Sequence, residues 1–255
     1  MADTLKGYAA AVPDRFLVSA AELFGDGVFE TVHLRPSGPW LLDAHLDRLA
    51  RSAALLDIPV PALSVGAPTA DPEGALRIML TRESLHVAVS SISPAVQRER
   101  RAGIRLLSAD LGVAADRQPP WSLAAAKSLS YASNFAARRW ATRHHADDVV
   151  WLSREGYVLE APTASVVWLT GDTLCTVPPS RAPILPGITA AHLLSVAGSA
   201  GLQAAERMIT LTELASADAI WLASSLRGLA EAVSLDGVAR ARSPWTGRLQ
   251  ALLGF

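Results

Sequence analysis

From Asp148 onward the chain is written in short apolar runs, each too brief for a helix and each closed by a turn. "DVVWLS" (Asp148 to Ser153), "GYVLEA" (Gly156 to Ala161), "SVVWLT" (Ser165 to Thr170) and "TLCTV" (Thr173 to Val177) follow one another, with "SREG" and "TGD" between them. β-Branched and aromatic residues suit a pleated, half-buried surface, and Gly, Asp and Ser at the ends mark turns. The spacing predicts an antiparallel set of strands, with Glu160 at the end of one of them. "DAIWLASS" (Asp218 to Ser225) adds a strand that ends in a serine-rich turn. A chain of this kind must fold around a sheet, and 255 residues with half of them apolar can bury a large core.

The first half mixes strands with a helix. "GVFETVHL" (Gly27 to Leu34) reads as a strand, "PSG" as a turn and "PWLL" as a return beside it. Leu42, Leu46, Leu49, Ala53 and Leu56 then recur at helical spacing, and "IPVP" stops the helix. "ALRIMLTR" (Ala75 to Arg82) and "LHVAVSSI" (Leu85 to Ile92) form a hairpin pair. "GVAADRQPPW" (Gly112 to Trp121) is rich in breakers and reads as a linker. A helix follows from about Tyr131 to His144, and "ILPGITAAHLLSVAGSAGL" is a loop entering another. The fold class is therefore mixed, α/β (α+β), with a break near residues 113–121.

Several function classes drop out. The formal net charge is −1, and the one basic run, "QRERR" (Gln97 to Arg101), reads as a solvated helix or loop, so there is no electrostatic case for nucleic acid. Cys175 is the only cysteine, which excludes an intrachain disulfide and a thiolate metal cage. His144 and His145 are adjacent and point different ways on a helix, so no metal site is expected. No run of about 18 apolar residues predicts a membrane span. "MADTLKGYAAAVPDRF" lacks the features of a signal peptide, which makes the cytoplasm the default compartment. Charged residues make up only 18% of the chain, and a surface so short of charge suits a homodimer.

Chemistry is signalled first by a lysine. Of 23 basic residues only Lys6 and Lys127 are lysine; the other 21 are arginine. Arginine stays protonated, whereas a desolvated lysine becomes an amine nucleophile. Lys127, in "AAAKSLSYASN", is a candidate for Schiff-base chemistry with a carbonyl or with pyridoxal phosphate. Glu160, on the same strand face as Val158, could keep a pyridine nitrogen protonated. "ILPGIT" (Ile184 to Thr189) feeds a helix whose free amides could hold a phosphate. Ser224, Ser225 and Arg48 could add hydroxyls and positive charge. The plain alternatives are a helix-start lysine, a solvated glutamate and an ordinary N-cap by Thr189.

Taken in order, "FGDGVFET", "LLDAHLDRLARSAALL", "AKSLSYASN", "GYVLEAPTAS", "ILPGIT" and "ASSLRG" resemble the fold-type IV pyridoxal-phosphate enzymes, over about Phe24 to Gly228. The resemblance implies a small N-terminal α/β domain (1–112), a linker (113–121) and a larger C-terminal pseudo-barrel domain (122–255), assembled as a homodimer. It implies Lys127 as the Schiff-base lysine and proton-transfer base, and Glu160 as partner of the pyridine nitrogen. It implies Arg48, Ile188, Thr189 and Ser225 around the phosphate, with Tyr131 near the cofactor ring. Thr31, where branched-chain aminotransferases typically have glycine, resembles the 4-amino-4-deoxychorismate lyases and could assist protonation of the leaving enolpyruvate. Arg227, Arg77 and Arg82 are candidates for a substrate carboxylate. The activity this implies is release of 4-aminobenzoate and pyruvate, for folate precursor synthesis. A branched-chain or D-amino-acid aminotransferase, and a cofactor-free binding or structural dimer, are the alternatives. Ser165, Ala190, Glu83 and "AEAV" depart from the family's usual residues.

Overall fold

The computed structural model describes residues 19–63, 66 and 68–255. Lys6 and the N-terminal stretch weighed above as a signal peptide lie outside the described residues. A short helix α1 (Ala20–Phe24) leads into β1 (Val28–Arg35), β2 (Gly38–Pro39), α2 (Leu42–Ala54), β3 (Gly74–Leu80) and β4 (Leu85–Ser90). These strands form one antiparallel sheet in the order β2-β1-β3-β4. The hairpin expected of "ALRIMLTR" and "LHVAVSSI" is β3 with β4, but of "PWLL" only Pro39 joins the sheet, as the second residue of β2.

Alternation along β1 decides what the small sheet presents. Val28, Glu30, Val32 and Leu34 are buried on one face, against Leu49 and Ala53 of α2 and Leu76 and Ile78 of β3. Phe29 and Thr31 take the opposite face, because successive strand residues point to opposite sides. A carboxylate therefore sits among the core residues, which matters below.

The chain continues through α3 (Pro94–Ala102), β5 (Ile104–Asp110), α4 (Ala132–Arg143), β6 (Asp148–Leu152), β7 (Ser165–Thr170), β8 (Thr173–Thr176) and α5 (Ile188–Val196). It ends with β9 (Gln203–Glu206), α6 (Leu211–Ala215), β10 (Ala219–Ser224), β11 (Gly228–Leu235), β12 (Val238–Ala239) and α7 (Trp245–Leu252). The second sheet has eight strands, ordered β6-β5-β11-β10-β7-β8-β9 with β12 on β11. β7 and β10 are buried on both faces, so their sequences read as continuous apolar runs rather than alternating ones.

Three expectations need correction. The antiparallel set is only partly so: β7 pairs antiparallel with β8 and β10, but β6 joins β5 in parallel across the α4 crossover. "GYVLEA" is extended chain without a strand, because its backbone groups bond to Ile209, Trp151 and Ala164 in isolated bridges. β5, which follows α3, pairs in parallel with β6 and β11 of the large sheet. The basic run in α3 is not simply solvated either. Glu99 and Arg100 are half-buried and bond to Arg227, Glu73 and the carbonyl of Leu226.

Candidate active site

A cavity of about 800 Å³ takes residues from both sheets. Phe29 and Thr31 reach it from β1, and Arg77 and Met79 from β3. Thr31 is the register partner of Arg77, and Phe29 of Met79, so one small patch of sheet supplies all four.

Lys127 is fixed through its backbone. Its carbonyl accepts from Phe29 N at 2.9 Å, its N–H donates to Ser52 Oγ at 3.1 Å, and Ser128 bridges Val28. This approach needs Gly27, where an added Cβ would lie 2.7 Å from Leu129 and 2.9 Å from the Leu80 carbonyl oxygen. The lysine therefore precedes α4 and lies against β1, not at a helix start. Its ammonium sits 4.5 Å from the Phe29 ring centre and 3.4 Å from the Tyr131 hydroxyl, and no carboxylate pairs with it among the described residues. Burial, reinforced by the charge of Arg48, lowers its pKa to about 8 against the partial opposition of Glu30 and Glu160. Tyr131 is pushed up to about 12 by burial and Glu160, so it stays a neutral phenol.

Glu160 also lines the cavity and accepts from Leu185 N at 3.3 Å. Burial raises its carboxyl to about 8, although the Leu185 bond, Lys127 and Arg48 pull the other way. A carboxyl left so short of partners suits a basic nitrogen brought from outside. The same imbalance predicts a stability change. Between about 4.5 and 8 the folded protein holds a proton that the unfolded chain has released, so stability falls as pH rises through that window. Glu160→Gln should raise the melting temperature of the cofactor-free protein, with a gain that grows from pH 5 to pH 9. Equal pH slopes for variant and wild type in thermal melts would contradict this.

At the other end of the cavity, α5 begins with Gly187 as N-cap, with no side chain capping it. Thr189 is inside the helix, so the ordinary cap by Thr189 does not occur. Its buried Oγ1 has no hydrogen-bond partner among the described residues. The first amides of such a helix lack internal partners and favour an anion. Gly187 packs so tightly on Ser165 that an added Cβ would lie 2.0 Å from its hydroxyl oxygen. Ile188, Thr189, Ser225 and Arg48 all line this end. Arg48 donates through Nε and Nη2 to both oxygens of Glu30, at 2.7 and 2.8 Å, and through Nη1 to the Pro186 carbonyl at 2.9 Å.

Two of the expected carboxylate partners stand differently. Arg227 is 3% exposed, with Nε 2.8 Å from Glu99 and Nη2 3.0 Å from Asp148, so two acids already neutralise it. Arg82 is not in the cavity wall and donates to the carbonyls of Leu56 and Asp57. Arg77 alone among the four cavity arginines has no carboxylate partner among the described residues; it donates to Ser90 Oγ. Glu30 and His45 carry polar roles that the motif reading overlooked. The alternation of "VFETV" puts Glu30 on the core face, and that was the signal for it.

The chain matches the Amino-transferase class IV family model over residues 27–235. It belongs to the class IV aminotransferase family. A bifunctional aminodeoxychorismate lyase / D-amino acid transaminase of Mycobacterium tuberculosis is 38% identical to this class IV chain, over 88% of this chain and 86% of its own. A hypothetical aminotransferase from M. tuberculosis, solved in a PLP-bound form, superposes with a TM-score of 0.86 at 35% identity, covering 95% of this chain and 94% of that one. A fold IV-transaminase from Curtobacterium pusillum gives a TM-score of 0.84 at 35% identity, over 96% and 89%.

Class IV aminotransferases use pyridoxal phosphate, and the donors fit that cofactor. An amine of lowered pKa stands ready for its aldehyde, an underpartnered carboxyl for its ring nitrogen, and an orphan hydroxyl with an uncapped helix start for its phosphate.

Proposed function

We propose that the protein is a 4-amino-4-deoxychorismate lyase that releases 4-aminobenzoate and pyruvate, and that the same site transaminates D-amino acids. The observation that carries the lyase reading is the register pair Thr31 and Arg77 on the cavity face. It offers a hydroxyl for protonating an enolpyruvyl group and, for a carboxylate, a cation that no acid neutralises among the described residues. The name of the 38% identical relative supports both activities. The transaminase reading is favoured by the M. tuberculosis aminotransferase having also been solved with α-ketoglutarate and PMP.

Bound pyridoxal phosphate supplies the electron sink. Lys127 Nζ, with its pKa near 8, takes the proton from the amine-bearing carbon of the substrate. In the lyase reaction the carbon–oxygen bond to the enolpyruvyl group then breaks, the ring becomes aromatic, and Thr31 Oγ1 relays to the departing enolpyruvate the proton that Lys127 took, which completes pyruvate and returns Lys127 to its neutral form. Glu160 holds a proton at the ring nitrogen, and Arg77 orients the substrate carboxylate.

The deciding assay incubates the protein with aminodeoxychorismate and pyridoxal phosphate, without any keto acid. 4-Aminobenzoate should accumulate, and its absence would sink the lyase reading. A D-amino acid with α-ketoglutarate tests the second activity. Arg77→Gln should raise KM about 10- to 100-fold, the worth of one charge-assisted hydrogen bond, and leave the visible spectrum of the bound cofactor unchanged. An unaltered KM would remove Arg77 from the substrate site.

The reading includes a homodimer. Leu85, Val87 and Val89 recur with period two along β4 and are 40%, 50% and 56% exposed, an apolar face that a second copy would cover. It also treats the small sheet and the large sheet as the two functional halves of the chain, and the cytoplasm as its compartment.

A further inference from the structure

A hydrogen-bonded file of three side chains runs from the core of the small sheet to the phosphate end of the cavity. Glu30 is fully buried, and its Oε2 lies 2.7 Å from His45 Nδ1. The other ring nitrogen, Nε2, lies 3.2 Å from Ser225 Oγ. Burial pushes the Glu30 carboxyl up, but the bonds from Arg48 and His45 bring it down to about 2. Glu30 is therefore ionised and can only accept, so Nδ1 of His45 carries a proton.

The rest follows from hydrogen-bond valence. In a neutral ring with its proton on Nδ1, Nε2 is an acceptor. The Ser225 hydroxyl must then donate to His45, which leaves only lone pairs to face the cavity. A phosphate dianion has no proton to give them. A proton added at Nε2 reverses the bond: Nε2–H donates to Ser225 Oγ, and the Ser225 O–H is released toward the phosphate.

We infer that His45 is a positioning residue that takes up one proton when a phosphate dianion occupies the cavity end between Ser225 and α5, converting Ser225 from acceptor to donor. The inference rests on the pyridoxal-phosphate reading of the site. The charges facing His45 are Glu30 from β1, which favours the imidazolium, and Arg48 on α2 and Lys127 from the segment before α4, which oppose it. Burial opposes it most, and the pKa of His45 is lowered. Without an anion beside Ser225 the ring is therefore neutral, and an arriving dianion supplies the missing negative charge.

Nitrogen-15 NMR of histidine-labelled protein at pH 7.5 tests this directly, with His45→Gln used to assign the resonance. Cofactor-free protein should show His45 protonated at Nδ1 only. Saturation with pyridoxal phosphate should make it doubly protonated, and saturation with inorganic phosphate should do the same. In Ser225→Ala the ring should stay neutral on loading, and cofactor affinity should fall about tenfold, the worth of one hydrogen bond to a charged group. A ring that stays neutral in wild type, while the visible band reports bound cofactor, overturns the proton uptake and leaves the proposed function standing. Failure to acquire any visible band with pyridoxal phosphate overturns both.

Discussion

Lys127→Ala is expected to lower turnover by at least about four orders of magnitude and to abolish the visible absorption of bound cofactor. One side chain would carry two duties: holding the cofactor's aldehyde carbon, and moving the substrate proton, which alone is worth about 10²–10⁴ in rate. The fold should survive, because the groups that place Lys127 against β1 are backbone groups, which alanine retains. Stability should rise if anything. Burial depresses the lysine's pKa from 10.5 to about 8, so between those values the unfolded chain binds the proton more tightly and wild-type stability climbs with pH. That climb should vanish in Lys127→Ala. Lys127→Arg is the sharper control: it restores the charge and the length but stays protonated, so it should be as inactive as alanine. Product assays and visible spectra of the two variants decide the matter. A tenth of wild-type turnover in either would remove Lys127 from the chemistry.

The sequence made that lysine visible because composition had removed nearly every other one. The uncapped start of α5 was legible for a different reason: a Pro-Gly turn entering an apolar helix leaves backbone amides bare, whatever the tertiary setting. Strand runs such as "SVVWLT" were legible as strands, but their partners were not. Parallel pairing of β5 with β6 depends on a helix crossing over, which no local pattern records. "GYVLEA" looked like a strand by residue type, yet its hydrogen bonds go to three different places. The fate of each arginine was least legible. Arg77 and Arg227 look alike as residues, but Glu99 of α3 and Asp148 of β6 come from 128 and 79 positions away to neutralise the second. Charge pairing at such separations is a property of the fold. Glu30 could have been found, since strict alternation already placed it among Val28 and Val32. A carboxylate on a core face demands a cation, and helix α2 offers His45 and Arg48 three residues apart on one side.

That demand makes Glu30→Ala the substitution with the largest expected cost in stability. It would leave the Arg48 guanidinium, 5% exposed, without the carboxylate that accepts two of its hydrogen bonds. Breaking a buried pair from one side typically costs about 3–5 kcal/mol, which for a chain of this size is a fall of about 10 °C in melting temperature. The pH dependence has a definite sign. The folded carboxyl titrates near 2 and the unfolded one near 4.5, so its contribution is complete above about 4.5 and is lost as pH falls toward 2. The melting curves of wild type and Glu30→Ala should therefore converge in acid. Melting of the variant within 2 °C of wild type at neutral pH, where roughly ten degrees are expected, would show that Arg48 finds another partner. Replacing both residues, as Glu30→Met with Arg48→Met, should recover most of the stability, because two apolar side chains leave no buried charge behind. It should not recover pyridoxal-phosphate affinity. A double variant that folds well and binds cofactor poorly would assign Arg48 a second duty beyond neutralising Glu30 in the core, that of presenting its remaining N–H groups to the phosphate. A double variant that binds cofactor like wild type would assign Arg48 to the core alone and leave the phosphate to the start of α5.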